Sequence, residues 1–399
     1  MQLNSDVLNR IQYLIGSPEI VMKLPKINAK APFDAEIVGF LNLVSKVIMK
    51  DPRAKAFSDV VTFAFWIRKS SILKSAERFA ENGIRLGKGV VFHIAPSNVP
   101  VNFAFSLVSG LITGNANVVR VPSKDFLQIG IIVDAFNVAL NDYKNLRPYL
   151  ICVRYGRDKD VNDLFSSIAD VRVIWGGDQT ISELRNSPLP PRSGEITFAD
   201  RYSLAIIDSD CYLSIGNKKR IAEDFYNDTY LTDQNACTSP RIIVWTGSRI
   251  EKAKEEFWAE EHKLVLEKYS FQPIQGVDKL TKAYLMAADH EAKIEDHQDN
   301  LIIRISVPEI YEDLMEFRGN SGFFYEYNCK NLLEIRSLCD DKRCQTIGYI
   351  GEKESILPLL ESGVKGIDRV VPVGRTMDFD LIWDGYNLVS MMTRTVTLQ

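Results

Sequence analysis

The sequence predicts an α/β fold built in two successive blocks behind a helical lead-in. Three observations predict it. From residue 89 onward short apolar runs alternate with helical stretches. The runs are apolar throughout rather than alternating in polarity, as strands covered on both faces of a parallel sheet must be. A polar, proline-bearing connection at 187–201 interrupts the series before it resumes. With 399 residues, 46% hydrophobic and 25% charged, the chain has the size and composition for two globular domains with full cores.

Residues 1–85 read as helical, with apolar residues at three- and four-residue spacing over 33–49 and 56–82. The aromatic cluster Phe63, Phe65 and Trp66 within them is most simply core or a docking face, with a lipid-contacting role as the lesser alternative. Strand 90–94 then runs into the loop 95–100 and a helix over 101–113 that Gly114 closes. Strand 117–121 stops at Pro122-Ser123 and leads to a helix over 125–141. Strand 150–155 precedes a helix over 161–168, and strand 171–175 ends at Gly176-Gly177 before a helix over 180–186. Ligands of parallel sheets lie beyond the carboxyl ends of the strands, which points to the loops 95–100, 122–124 and 176–180. No GxGxxG is present. Gly176-Gly177 nevertheless opens a helix whose free N–H groups favour phosphate; the alternative is a tight turn without a ligand. Past the connection, strand 203–207 and a helix over 218–230 deliver the chain to Cys237. Strands near 241–245, 300–307 and 346–350 then alternate with helices near 250–269, 279–291 and 331–338, and 366–385 is turn-rich.

Charge and composition exclude several functions. Lys plus Arg number 48 against 52 Asp plus Glu, a net charge of -4 without blocks of one sign, so nucleic acid is not expected as a partner. The six cysteines, at 152, 211, 237, 329, 339 and 344, include no CxxC and suit reduced thiols in a cytoplasm. The four histidines, at 93, 262, 290 and 297, form no HExxH, so no metal is expected. Residues 1–6 lack a basic region followed by an apolar run, and no apolar stretch approaches about 18 residues, so neither a signal peptide nor a membrane span is expected. Cys237 stands between a polar helix end and a β-branched strand, beside Thr238 and Ser239 and four residues before Arg241. A cysteine so placed is open to two readings, a small buried apolar side chain or an activated thiolate.

Several strings taken together resemble the aldehyde dehydrogenase superfamily. They are Ile94-Ala95-Pro96-Ser97-Asn98-Val99-Pro100, Gly114-Asn115 before a strand ending in Pro122-Ser123, Trp175-Gly176-Gly177-Asp178, and Gln234 shortly before Cys237. The likeness is closer to its LuxC-type branch, the acyl-CoA reductases that serve as the fatty-acid reductase component of bacterial bioluminescence. Asp200-Arg201-Tyr202-Ser203, Gln234-Asn235-Ala236-Cys237-Thr238-Ser239-Pro240, Gln345-Thr346, Asp368-Arg369-Val370-Val371-Pro372-Val373-Gly374 and Trp383-Asp384-Gly385 carry it, over residues 90–385.

The resemblance implies an aldehyde-dehydrogenase-like fold: a helical segment over 1–88 belonging to the cofactor domain, a dinucleotide-binding domain over 89–215, a catalytic domain over 216–375, and a tail, 376–399, returning to the cofactor domain. It implies reduction of an acyl thioester to the aldehyde, with Cys237 as nucleophile and Asn98, jointly with the Cys237 backbone N–H, as donor to the developing oxyanion; the alternative for Asn98 is a turn residue before Pro100. Pro96, Arg120, Ser123, Lys124, Gly176, Gly177 and Asp178 are the implied cofactor contacts. A basic residue near Arg120, where the superfamily has a ribose-binding lysine, favours NADPH over NADH. Phe198 falls where hydrolytic relatives carry the glutamate that activates water, so the acyl-enzyme should await hydride or a thiol. The implied partners are an acyl-CoA or acyl-protein donor, an acyl-protein synthetase and further copies of the chain. The competing classes are an aldehyde dehydrogenase releasing acid and a non-catalytic partner subunit.

Overall fold

A computed structural model describes residues 5–80, 83–296 and 299–398. The expectations resting on residues 1–4, on the end of the helix at Asn82 and on His297 lie outside the described residues. The chain forms two compact units, Met1–Ala199 with Phe379–Gln399, and Asp200–Asp378.

The first unit holds β1 (Gln12–Ile15), β2 (Ile84–Gly87), β3 (Val90–Ile94), β4 (Ala116–Arg120), β5 (Leu150–Arg154), β6 (Val171–Trp175) and β7 (Gly194–Phe198). Its main sheet runs β1-β5-β4-β3-β6-β7, parallel except for β1, which pairs antiparallel with β5. The predicted continuous apolar runs are buried as expected: every residue of β3 and of β6 is buried. From β3 the chain builds outward to β4 and β5, then crosses back to place β6 on the other side of β3. The order therefore reverses at β3, and the loops after β3 and β6 part there, leaving the crevice in which doubly wound sheets hold ligands.

Local sequence explains the joints of this unit. The helix Asn102–Ile112 ends at Gly114, whose φ of +84° is a left-handed cap; a β-carbon there would stand 2.2 Å from the Lys30 carbonyl. Asn115 receives the Gly89 N–H and donates to the Met392 carbonyl, fastening the start of β3 to the returning chain. His93 is buried between Ser106 and Asn117, and burial lowers its pKa to about 4, so it is a neutral core residue. Phe63 is core and Trp66 packs on Phe105 and Phe379, whereas Phe65 lies at the surface under the Arg68 guanidinium.

The second unit is a seven-stranded sheet of β8 (Tyr202–Asp208), β9 (Pro240–Thr246), β10 (Lys293–Ile294), β11 (Ile303–Ser306), β12 (Phe323–Asn328), β13 (Cys344–Ile350) and β14 (Arg369–Pro372), in the order β10-β11-β12-β9-β8-β13-β14. All neighbours are parallel except the β10–β11 pair. The chain then returns to the first unit through the hairpin β15 (Ile382–Trp383) and β16 (Tyr386–Asn387) and through β17 (Thr393–Val396), which pairs antiparallel with β2.

Four sequence expectations change. The first 85 residues are not all helical: Ala35–Lys50, Ser58–Trp66 and Lys69–Arg78 are helices, but β1 and β2 are strands held by β5 and β17. Part of the 187–201 connection is β7, because Gly194 to Phe198 extends the parallel sheet at its edge. The run 323–328, not recognised as a strand, is central β12. The boundary at 215/216 moves to 199/200, since β8 lies between β9 and β13 in the second sheet, and the return begins at Phe379 rather than 376.

Candidate functional site

In the first unit the loops after β3, β4, β5 and β6 converge on a cleft of about 1150 Å³. Pro96, Asn98, Arg120, Ser123, Gly176 and Gly177 all line it. Lys124 and Asp178 do not: Lys124 places its ammonium 4.9 Å from the centre of the Phe126 ring, and Asp178 is the first residue of the helix Asp178–Arg185. Gly177 caps that helix without a side chain, and a β-carbon on Gly177 would meet nothing within 4 Å. The helix start thus offers backbone N–H groups to open space, the arrangement that suits a phosphate. Arg120 is committed locally, donating to the Gly156 carbonyl at 3.1 Å while its guanidinium stacks 4.7 Å from the Tyr155 ring. Asn98 is exposed and lies in a bend of the loop after β3.

The sequence reading missed the loop after β5, which brings Gly156, Arg157 and Lys159 to the same cleft. The rule that singled out the other three loops applies equally to this one. Arg157 is exposed and has no ion pair among the described residues, whereas Lys159 pairs with Asp163 at 2.6 Å.

Phe198 ends β7 and is buried, stacked on Trp175 at 3.7 Å between ring centres and edge-on to Tyr386 at 5.6 Å. Glu195, the nearest carboxylate in sequence, is held by two arginines, Arg172 and Arg185, the latter at 2.8 Å. Arg172 is itself buried and donates further to Ser166, Leu184 and Ser187. A carboxylate so engaged is poorly placed to accept a proton from water.

Cys237 lies in the second unit at the head of β9. Ser239 N–H bonds the Ala236 carbonyl at 3.1 Å, making Cys237 and Thr238 the central residues of a tight turn. The Ser203 hydroxyl, from β8, donates to the Cys237 carbonyl at 2.8 Å, and Thr238 contacts the Met377 sulfur. The approach is unusual: Asp233 and Gln234 both have φ near +53°, a left-handed conformation costing on the order of 1 kcal/mol for each non-glycine residue. Interactions around them hold it. Gln234 is fully buried and uses its whole amide, donating to the Pro240 and Phe323 carbonyls at 3.1 and 3.2 Å and accepting from Gly322 and Phe323 N–H at 2.7 and 3.0 Å. Tyr269 donates to the Asp233 carboxylate, Ser321 N–H to the Asp233 carbonyl, and Asn320 to Asn235. The loop 319–323 therefore cradles the cysteine loop. Sequence could name Gln234 only as a motif residue, because its four partners come from β9 and from Gly322 and Phe323 at the start of β12, some 90 positions away.

Of the six thiols, Cys237 and Cys211 alone are not buried. Burial pushes Cys152 up to about 12 and Cys329 up to about 11, and raises Cys344 strongly. Cys211 is raised by burial and by the Asp208 carboxylate. Those four are protonated at neutral pH. Among the described residues no group of three or more His, Cys, Asp or Glu could hold a metal ion, and no helix is long and apolar enough to cross a membrane.

The chain is 23% identical over 301 residues to a long-chain acyl-protein thioester reductase of Aliivibrio fischeri, covering 72% of this chain and 58% of that one. It is 22% identical over 293 residues to one of Vibrio harveyi, with 72% and 59% covered. The chain thus spans somewhat over half the length of these relatives. Among solved structures it superposes on a NAD-dependent benzaldehyde dehydrogenase from Corynebacterium glutamicum with a TM-score of 0.65 and 14% identity, covering 97% of this chain and 94% of that one. The aldehyde dehydrogenase 21 of Physcomitrella patens gives 0.66 and 11%, over 94% and 88%. The fold is that of the aldehyde dehydrogenases. The family model for acyl-CoA reductase (LuxC) matches residues 70–395, and the chain belongs to that family.

Proposed function

We propose that this protein reduces an acyl thioester to the aldehyde through an acyl group carried on Cys237, and that NADPH is its cofactor, with NADH as the variant to be compared. The observation that carries the reading is the Cys237 turn: an accessible thiol at the head of a buried strand, on a loop fixed by a fully satisfied buried glutamine. The thiolate attacks the acyl carbonyl and expels the donor thiol, CoA or a protein thiol. Negative charge gathers on the acyl oxygen in this step and again when the enzyme thioester is reduced. Asn98 and the Cys237 backbone N–H are assigned to stabilise it, on the strength of their motif positions. The thiohemiacetal then collapses, the C–S bond breaks and aldehyde leaves.

The cofactor fits the first unit. The cleft stands at the topological switch point, and the uncapped helix start at Gly177 suits a pyrophosphate. A reduced nicotinamide, when bound, supplies the hydride. Arg120, Ser123 and Arg157 are assigned to the adenosine end, where basic side chains favour a 2′-phosphate. We place the protein in a reducing cytoplasm as a homo-oligomer, served by an acyl-protein synthetase if the donor is an acyl-protein.

Phe198 and the arginine-bound Glu195 favour reduction over hydrolysis. Enzyme acylated with labelled acyl-CoA and freed of donor should keep its label in plain buffer. Added CoA or NADPH should discharge it quickly, NADPH giving aldehyde. Rapid release of free acid in buffer would establish the hydrolytic dehydrogenase instead.

A further inference from the structure

The helix Pro273–Asp289 carries an apolar face on each side. It begins at Pro273, where the Gln275 side chain accepts the Gln272 N–H at 2.7 Å. Its inner face, Gly276, Lys279, Ala283 and Met286 at three- and four-residue spacing, is buried. A β-carbon on Gly276 would stand 3.0 Å from the Phe271 ring, and the Lys279 ammonium donates to the Asn300, Leu301 and Ser321 carbonyls, the last two at 3.1 and 2.7 Å. These contacts fix how the helix is rolled against its unit. Ile274, Val277, Thr281, Tyr284, Leu285 and Ala288 repeat the same spacing on the opposite side, and all six are exposed. Ile274, Val277 and Tyr284 are exposed by 63%, 59% and 64%. Thr281 donates its hydroxyl to the Val277 carbonyl at 2.8 Å, so this group is satisfied within the helix.

A surface helix ordinarily turns charged and polar residues to water. Single exposed apolar side chains mean little, but an unbroken stripe along a helix about 25 Å long marks a contact surface. Charge says what covers it. Asp278 and Lys282 stand one turn apart on the same flank of the stripe, and neither has an ion pair among the described residues. When two copies of the helix lie antiparallel about a two-fold axis at Thr281, like flanks meet, and Asp278 comes opposite the partner's Lys282 twice over. Size agrees with charge. In that register Ile274 faces the partner's Ala288, Val277 faces the partner's Tyr284, and Thr281, a small residue, sits at the crossing where the backbones come closest. A lipid surface fits less well, because helices that lie on membranes are rich in Lys and Arg, whereas this flank holds Asp278 and Asp289 with Lys282.

We propose that the outward face of the helix Pro273–Asp289 is a two-fold interface between copies of this chain, the helices crossing antiparallel at Thr281. The inference rests on the homo-oligomer proposed above and on none of its chemistry. Sedimentation velocity of the full chain over a concentration series gives the assembly state and the dissociation constant. Val277→Lys, at an exposed position, should keep the melting temperature of the monomer and weaken this association roughly a hundredfold. Asp278→Lys should weaken it roughly tenfold, since each like-charge contact occurs twice, and adding Lys282→Asp should restore it. Mild oxidation of Thr281→Cys, which leaves the stripe in place, should link position 281 to the partner's position 281, as peptide mass spectrometry reads, because a disulfide needs α-carbons within about 7 Å. An oligomer unchanged by Val277→Lys would overturn this surface and leave the homo-oligomer standing, whereas a wild type monomeric at every concentration would overturn both. A double charge swap no tighter than Asp278→Lys alone, or no 281–281 link, would also overturn the proposal. So would co-sedimentation with phosphatidylethanolamine–phosphatidylglycerol vesicles that Val277→Lys abolishes without changing the assembly state, which would give the stripe to a lipid surface.

Discussion

Glu261 offers a direct test of how this fold manages buried charge. It lies on the inner face of the helix Ile250–Lys268 beside Phe257, Trp258 and Val265, fully buried, and neither carboxyl oxygen has a hydrogen-bond partner. Burial alone raises its pKa well above the carboxylate range, so the native protein holds it as a neutral acid. Glu261→Met keeps length and flexibility while removing the unsatisfied group. Leaving such a group buried costs about 1–3 kcal/mol, so the variant should be more stable by that amount, which in a unit of this size raises the melting temperature by about 2–4 °C per kcal/mol. The pH dependence has a definite sign. The native state keeps a proton that the unfolded chain releases above pH of about 4.3, so the wild type is most stable below that value. It loses up to about 1.4 kcal/mol per pH unit as the pH rises toward the folded pKa. Thermal melts of both proteins at pH 5 and pH 8, followed by tryptophan fluorescence, should show the gap between them widening at pH 8. A methionine variant that melts no higher than the wild type, or that keeps the same pH slope, would refute the reasoning.

Cys237→Ala should abolish both covalent acylation and aldehyde formation, whereas alanine at Cys152, Cys211, Cys329, Cys339 or Cys344 should leave labelling largely intact; mass spectrometry of the acylated protein checks this, and label retained by the Cys237 variant would overturn the assignment. Asn98→Ala should lower kcat by roughly a hundredfold, the scale of one lost oxyanion donor, with little change in acyl-CoA affinity. Steady-state kinetics decide it, since lost affinity at unchanged kcat would make Asn98 a binding residue.

The strands that sequence reveals are those whose burial leaves a local mark. β3 and β6 are apolar at nearly every position because the sheet is covered on both faces, and both were bounded correctly from their composition. β1 and β7 lack that mark. They lie at the two edges of the first sheet, partly exposed, and Gly194 to Phe198 is disguised by the prolines and hydroxyl residues before it. β2 is recognisable only through its partner β17, some 300 positions away. The site divides in the same way. Asn98, Gly176 and Cys237 stand in local strings with turn or loop chemistry, with Arg241 marked by its place four residues past Cys237, but the partners of the Gln234 amide around Phe323 lie far away in the chain. The helix bearing Glu261 carries acidic and basic residues around most of its circumference, so its pattern alone does not mark which carboxylate faces the core.

The pairing of β2 with β17 has a consequence for the order of events on the ribosome. Every strand of the second sheet lies between residues 202 and 372, so that unit has its full set of strands as soon as this continuous stretch is made. The first unit begins earlier yet waits longer, because Ile84 to Gly87 has no partner strand until Thr393 to Val396 is synthesised. During that interval the unpaired edge of β2, with Ile84 exposed beside it, presents open hydrogen-bonding groups to any neighbouring chain. The unit translated first is thus the one completed last, and its exposed edge is the place where crowding on a polysome would first tell.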